Sequence, residues 1–308
     1  MKLDDISRYM EEAGIPGRDA YDLPSSDERF PDGASYRIEE AAVVSPKVFE
    51  ALIDERHKRN VPVHKVVGLG SGGGTVFDRQ ELKDFAQMAA EEKIEVTAYP
   101  GPRNAWDIGR SYFAGQGGND HRGSDELRKV IADMMRIYDA GIRGFLLVDF
   151  GLLMLIQKMQ EQGNFPKDVG LKMSVMGGIS SATGAKLVED LGASSFNPIA
   201  DLTLPHLASI RKVVSIPMDF YAWTFSDHGL SQRFYDAPEV ARLCSPCYFK
   251  FEPGPVELAS VWANEKQVID LMRKKVKFAE IVIDFIRENQ PELKVSEQGP
   301  SDLHIPKV

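Results

Sequence analysis

Residues 171–223 read LKMSVMG (171–177), SSATGAKLVEDLGA (180–193), SSFNP (194–198), TLPHLASIRKVV (203–214) and SIPMDFYAW (215–223). The order is strand, helix, strand, helix, strand. The first and last segments are mostly apolar and partly alternating. Between them, Ala185, Leu187, Val188 and Leu191, then Leu204, Leu207, Ile210 and Val213, fall on helical stripes, as amphipathic crossovers require. Strands joined by helices of this length belong to a parallel sheet, because antiparallel neighbours need only a short turn.

Working outward, the same alternation recurs. Upstream strands are expected at 36–44, 63–69, 94–99 and 145–149, and one downstream at 248–251. Ser45 and Pro46 suit the cap and first turn of a helix over 46–59, and Asp78 caps one running to about residue 92. Further helices are expected over about 124–138 and 152–162. The periodic run Val268, Met272, Val276, Ala279, Ile283 and Ile286 supplies the last. Eight strands with interleaved helices predict an α/β chain folded as a (βα)8 TIM-type barrel. An open doubly wound sheet is the rival, but a closed barrel leaves no edge strand to protect. The expected organisation is an N-terminal helix and irregular arm over 1–35, the barrel over 36–290, and a polar, proline-broken tail over 291–308. The arm reads as mobile and the tail as a strap.

A chain of 308 residues accommodates one barrel with extensions, and its formal charge of −9 gives none of the basic footprint of a nucleic-acid binder. The start, MKLDDISRYMEEAG, has acids where a secretory signal has a basic region and an apolar core. The most apolar run, GFLLVDFGLLMLI (144–156), contains Asp149 and is too short to span a bilayer. A cytoplasmic protein without nucleic-acid or membrane partners is expected, and its oligomeric state stays open.

Barrel enzymes keep their chemistry at the C-terminal ends of the strands, which directs attention to the polar residues there. Asp149 interrupts an apolar strand exit, where a carboxylate needs a partner; it is a candidate catalytic group or a satisfied structural carboxylate. Lys172, Ser174 and Met176 share one face of their strand, with Lys172 near its beginning, as compatible with solvent at the bottom of the barrel as with the interior. Asn197 precedes a proline and offers both donor and acceptor to a ligand, or stabilises a turn. Asp219 and Tyr221 share a face of the seventh strand, and Lys250 and Glu252 repeat the pattern on the eighth. Asp149, Asp219 and Lys250 are the candidate catalytic residues, and Ser174, Asn197 and Tyr221 candidate ligand contacts. GLGSGGG (68–74) follows a strand, so the backbone around Gly70, Gly72 and Gly73 could cradle an anion or form a flexible lid. PGPRN (100–104) adds Arg103 and Asn104, a carboxylate or phosphate clamp or ordinary surface polarity. No HExxH occurs and LCSPCYFK (243–250) holds the only cysteines, Cys244 and Cys247. No metal ligand is therefore assigned, a four-thiolate cluster within one subunit is excluded, and the cofactor is left open.

GFLLVDFGLLMLI with the following strand-helix series resembles the central part of the U32 peptidase family, over about residues 141–223. Asp149 and Gly151 match that family's Asp-Leu-Gly-like strand end and Ser174 its Ser-Thr-Gln-like segment, while Asn197, Pro198 and Asp201 stand where it has Arg-Glu. Of the family's cysteine pattern this chain has only Cys244 and Cys247. The resemblance implies a TIM-like barrel. Three functions fit these residues: an enzyme acting on a small polar or anionic metabolite at the C-terminal face, a peptide or amide hydrolase of U32 type, and a non-catalytic binding or assembly barrel.

Overall fold

The computed structural model describes residues 2–69, 73–101, 121–224, 232–252 and 264–308. Its centre is a closed barrel of eight parallel strands hydrogen-bonded in sequence order: β1 (Tyr36–Val43), β2 (Lys65–Gly68), β3 (Glu95–Ala98), β4 (Gly144–Leu147), β5 (Gly170–Met173), β6 (Ser195–Phe196), β7 (Met218–Trp223) and β8 (Cys247–Phe251). Closure comes from β1 lying beside β8, with Tyr36 opposite Cys247 and Glu40 opposite Phe251. The described helices are α1 (Leu3–Glu12), α2 (Pro46–Arg59), α3 (Arg79–Glu91), α4 (Gly123–Asp139), α5 (Phe150–Glu161), α6 (Ala182–Asp190), α7 (Leu204–Arg211), α8 (Ala237–Cys244) and α9 (Glu265–Asn289). Among the described residues none is long and apolar enough to cross a membrane.

Local chemistry sets the helix starts. Ser45 Oγ accepts from Val48 N with Pro46 in the first turn of α2, so the ring occupies a position whose N–H would be unpaired in any case. Asp78 and Glu81 form a reciprocal capping box on α3, in which the N–H groups of Asp78, Gln80 and Glu81 all find side-chain acceptors at an end where they would otherwise be free. The apolar stripes of the helices then pack on the outward residues of the strands. The main cluster that results runs from Ile38, Phe49 and Phe85 through Phe145, Ile156 and Phe196 to Phe249, Val276 and Ile283. Phe49 and Phe85 stack with centroids 5.0 Å apart.

The expectation of a mobile arm is corrected by the packing of residues 20–35. Ser26 is anchored twice: its N–H donates to Arg242 O at 2.9 Å and its hydroxyl to Ser245 O at 2.6 Å. Phe30 meets the Tyr248 ring edge-on at 5.3 Å. The C-terminal segment crosses the N-terminal ends of the strands. Val295 pairs with Tyr36, Gln298 bonds both the N–H and the C=O of Val63, and Asp302 grips the Arg37 guanidinium at 2.8 and 2.7 Å. Helix α1, in contrast, buries none of its residues.

His64 locks this closure in one protonation state. It is fully buried, its Nδ1 accepts from Ile38 N at 3.0 Å, and its Nε2 lies 3.0 Å from Ser296 O. The ring therefore carries its proton on Nε2, and a second proton on Nδ1 would break the bond to β1. Burial, helped by nearby Arg37, pushes its pKa down to about 4. Between the ordinary value near 6.5 and 4 the unfolded chain binds a proton that the folded chain refuses, so stability falls as pH is lowered through that window. We expect this group to contribute up to roughly 3 kcal/mol of acid sensitivity. Urea titrations at pH 7 and pH 4.5 should show a smaller loss for His64→Gln than for the wild type; equal losses would contradict the assignment.

Candidate functional site

Side chains that alternate into the barrel from β1, β2, β3, β5, β7 and β8 are charged where most barrels carry branched aliphatics. Glu39 on β1 and Lys172 on β5 come from opposite walls, and their contact crosses the lumen: Lys172 Nζ is 2.6 Å from Glu39 Oε1. The same ammonium lies 2.7 Å from Asp219 Oδ2, to which Ser195 Oγ donates at 3.2 Å. Lys250 Nζ reaches Glu39 Oε1 at 3.1 Å and donates to Asn197 Oδ1 at 3.2 Å. Asn197 Nδ2 in turn donates to the carbonyl of Asp219 at 2.8 Å. Below this group Lys65 faces Glu95 at 3.3 Å. All of these are buried, and the charges of Lys65, Lys172 and Lys250 cancel those of Glu39, Glu95 and Asp219.

Burial alone would raise Glu39, but the ammonium groups of Lys172, Lys250 and Lys65 outweigh it and hold the carboxyl low. Glu39 is thus an anion shared by two lysines. Asp219 is pushed the other way, because burial and the nearness of Glu39 oppose the help it receives from Lys172. Its Oδ1 has no hydrogen-bond partner among the described residues. Burial also lowers Lys172, against the pull of Asp219 and Glu39. Its geometry, wedged between two carboxylates, favours the charged form: a neutral amine there would strand Glu39 beside a single cation.

Asp219, Lys250, Asn197 and Tyr221, polar residues on three different strands or strand exits, lie together in the structure; the Tyr221 ring is 5.2 Å from Lys250 Nζ. The bottom-facing alternative for Lys172 is corrected, since the side chain points into the lumen and is 2% exposed. Glu39 was missed. Its signal was present in YRIEEAAV (36–43), where two adjacent glutamates in a strand force one of them inward. The other, Glu40, points outward beneath α9, where Lys275 donates to Ala41 O; burial pushes Glu40 up to about 8.

The remaining candidates sit on the rim or outside the described residues. Asp149 is the N-cap of α5: Oδ1 accepts from Leu152 N and Oδ2 from His121 N, each at 2.9 Å. Ser174 is buried and accepts from Met176 N at 3.3 Å, capping a short 3-10 turn. Gly73 opens a second 3-10 turn, Gly73–Val76. The neighbouring Gly74 N and Gly101 N both donate to Asp133 Oδ2 at 2.9 Å, so one buried carboxylate ties the β2 and β3 exits together. Gly70, Gly72, Arg103 and Asn104 lie outside the described residues. Cys244 and Cys247 are free and buried. Burial pushes the Cys244 thiol up to about 12 and Cys247 well above its ordinary value, which disfavours the thiolates that a metal or redox centre needs. Among the described residues no group of three or more His, Cys, Asp or Glu could hold a metal.

Removing one partner of a buried pair leaves the other uncompensated, at a cost of about 3–5 kcal/mol. Lys172→Met should destabilise the chain by that order in urea denaturation at pH 7. Glu39→Gln combined with Lys172→Met should lose clearly less than the sum of the single variants. Additivity would show that the two do not interact.

No family model matches the chain, and no curated protein matches it in sequence. Solved structures resemble it widely. The U32 peptidase Mk0906 aligns over 76% of this chain and 98% of its own at 14% identity and TM-score 0.41. A putative fructose-1,6-biphosphate aldolase from Coccidioides immitis aligns over 83% and 92% at 12% identity and TM-score 0.48. A truncated 3-deoxy-D-arabino-heptulosonate 7-phosphate synthase from Thermotoga maritima aligns over 85% and 90% at 11% identity and TM-score 0.47. What these proteins share with this chain is the TIM-barrel fold, and the likeness singles out no one family.

Proposed function

We propose that this chain is an enzyme that binds a small polar or anionic metabolite at the C-terminal end of the barrel, with Lys250 as the cation that meets it. The observation that supports this reading is the suspension of Lys250. Two of its N–H groups are directed to Glu39 and Asn197, and the ring of Tyr221 lies 5.2 Å from the ammonium. Lys250 is the fourth residue of the five-residue strand β8, which is where barrel enzymes place groups that act on substrate.

In this reading the ammonium stabilises negative charge that develops on a bound oxygen, a role that a preorganised cation in a dry site fulfils without rearranging. Glu39 and Lys172 act as positioning residues: Glu39 fixes Lys250, and Lys172 fixes Glu39. Tyr221, whose hydroxyl burial keeps protonated well above its usual range, is a candidate hydrogen-bond donor to the ligand. Gly70, Gly72, Gly73, Arg103 and Asn104 would bind the anionic part of the ligand, while Asp149 holds the start of α5 and the backbone of His121.

A metabolite-library thermal-shift screen on wild type and Lys250→Met tests this. A ligand that stabilises the wild type should lose about 1.5–3 kcal/mol of binding in the variant and should be converted on incubation with the wild-type protein. Equal stabilisation of both would remove Lys250 from the site. Binding without conversion would favour a non-catalytic barrel, and hydrolysis of peptides in the same library would favour the U32-type hydrolase.

A further inference from the structure

The N-terminal end of the barrel holds a cavity of about 270 Å³ between the arm, the C-terminal segment and the lower lumen. Its floor carries Lys65 and Glu95, its walls Phe30, Tyr248 and three prolines, and its mouth Arg29 and His304. Lys65 distinguishes it from an ordinary crevice. Lys172 and Lys250 each reach more than one oxygen at 3.2 Å or less. The Lys65 ammonium, with its side chain 4% exposed, has one carboxylate oxygen at 3.3 Å and the face of the Tyr248 ring at 4.3 Å. A buried ammonium has three donors to satisfy, so this one has capacity left, and it lines the cavity.

The surroundings define what would complete it. Glu95 is already engaged, by Lys65 and by the N–H of His304 at 2.9 Å. Asp302 is taken by Arg37. The hydroxyls of Ser194 and Ser195 donate elsewhere, to Leu171 O and Asp219. Among the described residues the Arg29 guanidinium donates through Nη1, to the carbonyls of Ser26 and Glu28. The unused donors are therefore those of cations. On the lining Lys65 and Arg29 are balanced by Glu95 and Asp302, and Arg37 behind Asp302 also faces Asp32 at 3.6 Å, so the cavity is close to neutral and suits a monoanion better than a phosphate dianion. The aromatic and proline walls favour an apolar body behind the charge.

We propose that this cavity is a binding site for a small organic carboxylate carrying an apolar or aromatic body, with Lys65 and Arg29 holding its carboxylate and Phe30 and Tyr248 flanking its body. It lies at the opposite end of the barrel from Lys250 and stands independently of the reading given above for that end. The Lys65–Glu95 pair, which forms its floor, sits beneath the Glu39–Lys172–Asp219 group.

Benzoate and inorganic phosphate serve as probes. Benzoate should bind the full chain in the millimolar range, with intermolecular NOEs from its ring protons to the Phe30 and Tyr248 rings, and phosphate should bind at least tenfold more weakly. Arg29→Ala, at an exposed position, should weaken benzoate severalfold without changing Tm. Lys65→Met should weaken it tenfold or more, and Lys250→Met should leave it unchanged. Absence of the NOEs in the wild type overturns the proposal whether or not Lys65→Met folds. So do unaltered affinity in Arg29→Ala, phosphate binding as tightly as benzoate, and loss of binding in Lys250→Met, which would place the carboxylate at the other end.

Discussion

The contact of Lys172 with both Glu39 and Asp219 governs the interior. A closed ring of strands has no direct route for water to charges at mid-height, so each ionic group there must find its counter-ion in the protein. Lys172 is the point where three walls meet, since Glu39 comes from β1 and Asp219 from β7. Through Glu39 it fixes Lys250, and through Lys250 it fixes Asn197. Replacing the set with well-packed aliphatics would cost little in principle. The interior instead holds three lysines and three carboxylates in fixed pairs, with Lys250 one residue from the end of β8.

The fold was legible because its determinants are local. Apolar stripes, cap residues such as Ser45 and Asp78, and strand-length apolar runs each occupy a few consecutive positions, and they recur eight times. The site was only half legible. Asp219, Asn197 and Lys250 stood out as polar residues in apolar strands, but whether each pointed inward depended on barrel shear and on partners far away in sequence. Lys172 shows the difficulty: its sequence neighbourhood fits solvent or lumen equally, and the decision is made by Glu39, 133 residues away. Glu39 was hidden beside Glu40, since adjacent glutamates resemble an exposed edge until one finds its partners across the lumen and the other packs under α9. A bulge between Glu40 and Val43, with Ala42 at φ 59, further scrambles the parity.

Asp149 illustrates how a site signal and a structural signal coincide. A carboxylate at the end of an apolar strand is equally suited to catalysis and to capping the next helix, because both need an acceptor at the mouth of a βα connection. In this chain it accepts from the first turn of α5 and from the backbone of His121. Asp133 does related work without any strand-end signature, joining the exits of β2 and β3 from within α4.

The grip of Asp302 on Arg37 spans 265 residues of chain, and β1 closes only against β8. During synthesis the first strand therefore waits for nearly the whole sequence before its inner face is covered, and its glutamates stay hydrated until then. Contacts of such long sequence separation carry a high entropy of loop closure, which must be met before their ion pairs can offset it. A chain interrupted before its last segment would leave the Arg37 guanidinium, 1% exposed in the folded molecule, without the carboxylate that grips it with two hydrogen bonds.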